Sequence, residues 1–448
     1  MCAPAFIIET VRVVLISTYE LGRQPFGLAS PAAWLRAQNH EVTVVDLSCT
    51  RLPTSPIAAA EGIAFFLPMH TATRLFLAAV ERVRDINPHA KLCAYGLYAP
   101  LSERVLRHAG VETIIGGEFE NGLVEWARGG HARADVSLER LHFITPDRTG
   151  LPPLGAYAKL VANGGTRTVG YTEASRGCKH LCRHCPVVPV YNGTFRVVQR
   201  DVVIADIRQQ VAAGAGHITF GDPDFFNGPG HAVAIVEALH REWPRLSYDV
   251  TIKVEHLLKH RDLIPVLRET GCAFVISAVE SLDDAVLEKL AKGHTRADFE
   301  EALRLMRAAE LPMSPTFIPF TPWTTRDSYR EFLRALAGLD LVDQIAPIQL
   351  AIRLLIPEGS RLLEVKEIRA IIQPFDMRAL TYPWRHEDPW LDTLAHRVQE
   401  TIKREERHHV GREAIFRKVW DLAEAGDWVD RPMQARATIP YLTEPWYC

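Results

Sequence analysis

Three cysteines, Cys178, Cys182 and Cys185, fall within eight positions of the stretch EASRGCKHLCRHCPVVPVYNG (173–193), with His180 and His184 between them. Thiolates this close bind metal, but a structural zinc site takes four ligands. Two chemistries answer the missing fourth. One is zinc, completed by His180 or His184. The other is a [4Fe–4S] cluster held through three irons, whose fourth iron is left open to a cosubstrate. Zinc ligands usually come in separated pairs, whereas this triplet follows directly on a strand-like segment, which favours the cluster. The basic neighbours Arg176 and Lys179 are expected to keep the thiols ionised. The other cysteines, Cys2, Cys49, Cys93, Cys272 and Cys448, are scattered. Eight in 448 residues is too sparse for a disulfide framework and suits a reducing cytoplasm.

The cysteines need a frame, and the sequence supplies two. The first part alternates strand-like and helix-like segments: VRVVLIS (11–17), HEVTVVDLS (40–48), GIAFFLP (62–68), AKLCAYG (90–96) and VETIIGG (111–117) as strands, with helices at 29–39, 73–87 and 101–109. Ser30, before Pro31, reads as the cap of the first helix. Such alternation predicts a parallel sheet covered by helices, with ligands at the carboxyl ends of its strands. A Gly/Pro-containing connector, TPDRTGLPPLGAYAKLVANGG (145–165), follows. From 168 the alternation restarts at longer period, with strands at 168–174, 216–220, 247–252, 272–278, 313–318 and 348–355, the signature of a partial or complete α/β barrel. After about 360 the chain turns helical and rich in Trp and Pro.

SRGCKHLCRHCP resembles the signature of the radical S-adenosylmethionine (SAM) superfamily. The resemblance continues through ITFGDPDFFNGPG (218–230) and ISAVESLDDAVLEKLAKGHT (276–295), and covers roughly 167–360. It implies that Cys178, Cys182 and Cys185 ligate a [4Fe–4S] cluster and that SAM chelates the open iron. An electron from the cluster then cleaves the sulfonium. It also implies that Asp222 and Asp224 lie where the SAM amino group is held, that Glu280, and with it Ser277 and Ser281, serves the ribose and methionine parts, and that Arg353 on the last strand faces the site. FIPFTPWTT (317–325) departs from the family's Gly-rich adenine turn, so no adenine contact is assigned.

The expected architecture is an N-terminal flavodoxin-like (Rossmann-type) domain (1–145), a linker (146–166), a radical SAM partial (β/α)6 TIM-like barrel (167–360) and a mainly helical C-terminal region (361–448). This pairing is similar to the cobalamin-dependent radical SAM subclass, which adds cobalamin to the expected cofactors and makes cobalamin-assisted methyl transfer to a small molecule the expected reaction. The first 150 residues carry no D-x-H-x-x-G motif, so no histidine is expected to ligate the cobalt. The ending TEPWYC resembles the approach to the Cys-Cys or Cys-selenocysteine tail of another radical SAM group. A related resemblance is to the radical SAM enzyme of arsinothricin biosynthesis, which makes transfer of a 3-amino-3-carboxypropyl group from SAM to arsenic the alternative chemistry. A radical SAM enzyme needs an external electron donor of flavodoxin or ferredoxin type. A net charge of −3 gives no electrostatic case for nucleic acid, and no apolar run is long enough for a membrane span.

Overall fold

The computed structural model describes residues 10–130, 135–162, 165–428 and 441–443. Cys2, Cys448 and the TEPWYC ending lie outside them. The first sheet holds six parallel strands: β1 (Arg12–Ser17), β2 (Glu41–Asp46), β3 (Gly62–Phe66), β4 (Lys91–Tyr95), β5 (Thr113–Gly117) and β6 (Asp135–Ser137), in the order β2-β1-β3-β4-β5-β6. The apolar runs are nearly continuous because both faces are covered. Val13, Leu15 and Phe66 enter one core, while Val14, Ile16 and Phe65 enter the other. The second of these cores continues past the connector through Cys178, Val187, Val190 and Tyr191.

The first helix differs from expectation. It runs Phe26–Ala37, one turn earlier than the proline suggests, and Pro31 lies inside it. A proline removes the bond to the carbonyl four residues back. That carbonyl, of Gly27, accepts from the Tyr95 hydroxyl at 2.7 Å instead. Ser30 is no cap; its hydroxyl donates to Glu120 at 2.6 Å.

The second sheet is β14-β13-β12-β11-β8-β7-β15. Its strands β8 (Gly165–Thr172), β11 (His217–Phe220), β12 (Ser247–Thr251), β13 (Cys272–Glu280) and β14 (Met313–Phe317) are parallel, a curled half-barrel with helices outside. Antiparallel β7 (Lys159–Ala162) and β15 (Tyr441–Leu442) extend one edge. A small antiparallel pair, β9 (Ser175–Gly177) and β10 (Phe195–Val197), brackets the cysteines. The strand expected at 348–355 is not formed. Pro347–Leu350 is a 3-10 turn, and only an isolated bridge, Phe320 to Arg353, marks a sixth place. The Gln349 side chain accepts the Phe317 N–H at 2.8 Å and so takes the place of a ladder carbonyl. Helices Pro389–Arg407 and Arg412–Leu422 cover the barrel core with Leu394, Val398, Ile402, Ile415, Phe416 and Val419.

Arg148 of the connector ties the two halves. It pairs with Asp206 through two bonds of 2.9 and 2.8 Å and donates to Gln24 at 2.7 Å and to the Tyr171 carbonyl at 2.6 Å. Asp206 is buried and the Arg148 side chain is largely so. Removing one leaves an uncompensated charge, so Asp206→Ala should destabilise the protein by about 3–5 kcal/mol in urea unfolding, far more than breaking an exposed pair such as Arg208–Glu242.

Candidate functional site

The cysteine loop is clamped from several sides. Gly177, just before Cys178, has φ +77°, and a Cβ there would lie 2.4 Å from the Thr194 carbonyl oxygen, so only glycine fits the approach. The buried Asn227 side chain accepts the Lys179 N–H at 3.0 Å and donates to the Gly177 carbonyl at 3.3 Å. On the other side the Arg183 N–H donates to the Leu290 carbonyl at 2.9 Å. Burial pushes the Cys178 thiol up to about 11 and the Cys185 thiol up to about 12. Such thiols become metal ligands when cations or a metal stabilise the thiolate.

The cations differ from those expected. Arg176 is committed to Glu118, Glu120 and Glu173, and Lys179 lies over the Phe195 ring at 4.9 Å. The groups that face the sulfurs are Lys253, whose Nζ is 3.8 Å from Cys182 Sγ, and Lys292. Burial opposes the charge of Lys292, but Glu280, Cys182 and Cys185 outweigh it and raise its pKa. Gly293, at φ +74°, lets this turn approach Glu255, whose Oε2 would be 2.8 Å from a Cβ. Lys292 was readable as part of the KGHT run; Lys253 had no sequence signal.

Glu280 ends β13 at a register shift, with φ +70°. A non-glycine residue held there costs about 1–3 kcal/mol, and such strain clusters at functional sites. Its Oε1 meets His184 Nε2 at 3.1 Å and Lys292 Nζ at 3.5 Å. Burial alone would raise Glu280, but Lys292 and His184 outweigh it and hold the carboxyl down to about 2. Ser281 Oγ accepts the Asp283 N–H, and Asp283, not Ser281, caps the following helix. Glu280 and Ser281 line a cavity of about 170 Å3 walled by Ile318, Pro319 and Phe332. Ser277 is buried with its Oγ unpartnered.

Asp224 packs against the cysteine loop: His180 Nε2 is 3.6 Å and His256 Nδ1 2.7 Å from its Oδ2, and the two imidazoles meet at 3.3 Å. Burial, then Lys253, push His180 down to about 4. Asp222 is bound inward instead. It accepts from the Ala174 N–H at 2.9 Å and from the Ser175 hydroxyl, and burial raises it to about 7. Arg353 is drawn to the C-terminal region by Asp392 at 2.6 Å and the Trp384 carbonyl at 2.7 Å.

A cleft of about 280 Å3 opens between the two sheets. Its walls follow β1 (Glu20, Arg23) and β3 (Phe66, Met69), the point where the strand order reverses and where such sheets bind ligands. The opposite wall carries Tyr171 and Gly177, the neighbour of Cys178. Glu20 is a residue that sequence reasoning missed; its only signal was its place at a strand's carboxyl end.

Residues 172–336 match the Radical SAM superfamily model. Curated relatives include hopanoid C-3 methylase of Methylococcus capsulatus, 26% identical over 34% of this chain and 29% of that protein. The ribosomal protein uS12 methylthiotransferase RimO of Parabacteroides distasonis is 26% identical over 38% of this chain and 41% of that protein. The chain thus spans less than half the length of these relatives. Among solved structures, the cobalamin-dependent SAM radical enzyme OxsB, with aqua-cobalamin bound, superposes with a TM-score of 0.70 at 14% identity, over 93% of this chain and 72% of that one. The radical SAM methyltransferase TsrM from Kitasatospora setae, with cobalamin and a [4Fe–4S] cluster, gives 0.59 at 15%, over 92% and 100%. At these identities the likeness is one of fold.

The Glu280 carboxyl gives the site a pH signature. A native value of about 2 against about 4.3 in an unfolded chain means stability that is complete above about pH 5 and lost as the pH falls towards 2. In cluster-free protein, E280Q should lose less stability than wild type between pH 7 and pH 3, by about 1.5–2 kcal/mol in urea titrations. Equal losses would show that Glu280 is not held ionised.

Proposed function

From a chain whose residues 172–336 form a radical SAM domain, we propose an enzyme that holds a [4Fe–4S] cluster on Cys178, Cys182 and Cys185, reductively cleaves SAM, and transfers a methyl group to a small molecule with the help of cobalamin. The observation that carries this reading is the meeting of two sites. The cleft at the switch point of the first sheet is lined by Gly177, the residue that precedes the first cysteine. A group bound on the first sheet would therefore lie beside the start and end of the cysteine loop, at Gly177 and Val187.

The residues fit the cluster: three thiols on one clamped loop, two buried ammonium groups beside them, and no fourth cysteine among the described residues of that loop. His180 and His184, the ligands a zinc site would need, are turned to His256 and Glu280. They also fit a corrinoid in place and in kind, since Phe66, Pro68, Met69, Leu97 and Phe119 give the cleft an apolar wall. A corrinoid is larger than the enclosed volume, so its periphery would lie outside the cleft. No histidine lines it to ligate cobalt. When bound, the cluster supplies an electron and the corrinoid carries a methyl group.

The chain's own residues bind and orient. Glu280, pinned by Lys292 and His184, presents a carboxylate beside the cysteine loop for the cationic or hydroxyl-bearing parts of SAM. The cavity against Ser281 receives an apolar portion. Low dielectric around these groups strengthens each contact. The reductant is a one-electron donor of flavodoxin or ferredoxin type, and the substrate enters from the cleft. No helix among the described residues is long and apolar enough to cross a membrane.

Anaerobic reconstitution should give about four irons per chain in wild type and a loss of most of that iron in Cys182→Ala. One tightly held zinc instead would overturn the reading. The fragments of SAM then separate the chemistries. S-adenosylhomocysteine together with 5′-deoxyadenosine, dependent on added hydroxocobalamin, is expected for methyl transfer. Methylthioadenosine without corrinoid would establish aminocarboxypropyl transfer, to arsenic or another acceptor.

A further inference from the structure

We infer that His180, Asp224 and His256 form a second metal site, for one divalent transition-metal ion such as zinc, beside the three cysteines and distinct from them. The inference goes beyond the reading proposed above and does not depend on it. One atom from each residue lies within 4.8 Å of the other two. Metal–ligand bonds of about 2.0–2.2 Å put ligand atoms roughly 3–3.5 Å apart, so side-chain rotation closes the set. Two imidazoles and one carboxylate are a ligand set that zinc and iron(II) take, with a position left for water or another ligand.

Two orphaned atoms carry the inference. Asp224 Oδ2 and His256 Nδ1 are buried and 2.7 Å apart, yet neither has a hydrogen-bond partner. Buried polar atoms are nearly always paired, so two that approach without bonding point to a third group that both bind. The frame around them is already built. Asp224 is fully buried, and its Oδ1 accepts the Phe226 N–H at 3.2 Å, which aims Oδ2 at the imidazoles. His180 turns Nε2 inward, 3.6 Å from Asp224 Oδ2, and Nδ1 outward, 3.4 Å from Glu255 Oε2. A carboxylate on the far nitrogen is how metal-bound imidazoles are oriented. The three side chains come from the cysteine loop, from the turn after β11 and from the helix Val254–Lys259 after β12. A metal here ties the cysteine loop to two strands of the barrel. It also engages Asp224, so the cationic parts of SAM are left to Glu280.

Zinc added to the anaerobically reconstituted full chain tests this. After gel filtration, metal analysis should find about one zinc in addition to about four irons. Zinc K-edge absorption should show only nitrogen and oxygen neighbours, at about 2.0–2.2 Å. His256→Ala and Asp224→Asn should each lose the zinc and keep the irons. The wild-type spectrum decides even where a variant fails to fold. No zinc retained by wild type overturns the inference and leaves the three side chains as a polar cluster. Sulfur neighbours at about 2.3 Å also overturn it, because they place the zinc on the cysteines. So does an Asp224→Asn variant that keeps zinc but loses SAM, read by equilibrium dialysis, which would assign the carboxyl to SAM. An iron-free wild type that still gives the nitrogen and oxygen shell would support the site and be a failure of the radical SAM reading alone.

Discussion

The geometry of the site depends on one buried guanidinium. Arg176 stands two residues before the first cysteine and reaches back across the domain junction. It grips Glu120 with two bonds, at 3.0 and 2.7 Å, and adds Glu118 at 3.2 Å and Glu173 at 2.7 Å. The rings of Phe119 and Phe143 lie 4.6 and 5.0 Å from it. Burial opposes the charge, but Glu120, Glu173 and Glu118 outweigh it. A buried ion pair is weak evidence for stability but a strong determinant of position, because any other placement leaves unpaired charges. Here it sets the cysteine loop against the carboxyl end of β5.

Other features follow from that placement. The sequence continues through Gly177, held at φ +77°, into a loop whose Cys178, Val187, Val190 and Tyr191 join a core of the first sheet. With the loop fixed, Lys253 after β12, Glu280 at the end of β13 and Lys292 beyond the next helix converge on it, and Glu280 meets His184 of the loop. The strained Glu280 backbone is held by its two charged neighbours and by the register shift beneath it. The same junction leaves a cleft whose two walls come from two sheets. One wall ends at a ligand-binding switch point and the other at the cysteines.

Much of the frame was legible because buried parallel strands read as unbroken apolar runs, and the first sheet shows five of them. What failed was read from one residue at a time. Pro31 suggested a helix start, but a hydroxyl from Tyr95 satisfies the carbonyl that the proline frees. IQLAIRLL suggested a strand, but Gln349 satisfies the neighbouring N–H with its side chain. The cysteine triplet was conspicuous through spacing, and the structure brings Asp224 and Glu280 to it while drawing Arg353 to the C-terminal region. Lys253 was invisible, since its role comes from long-range approach. Arg176 was noticed for its charge, but two of its three partners, Glu118 and Glu120, lie over fifty residues away.

The central claim is that the three cysteines leave one iron for SAM to chelate. Electron–nuclear double resonance of the reduced cluster, with SAM labelled at its amino nitrogen and carboxylate oxygen, tests it directly. The account predicts hyperfine coupling from both labelled atoms. A reduced cluster that accepts an electron yet shows no coupling to either would contradict it.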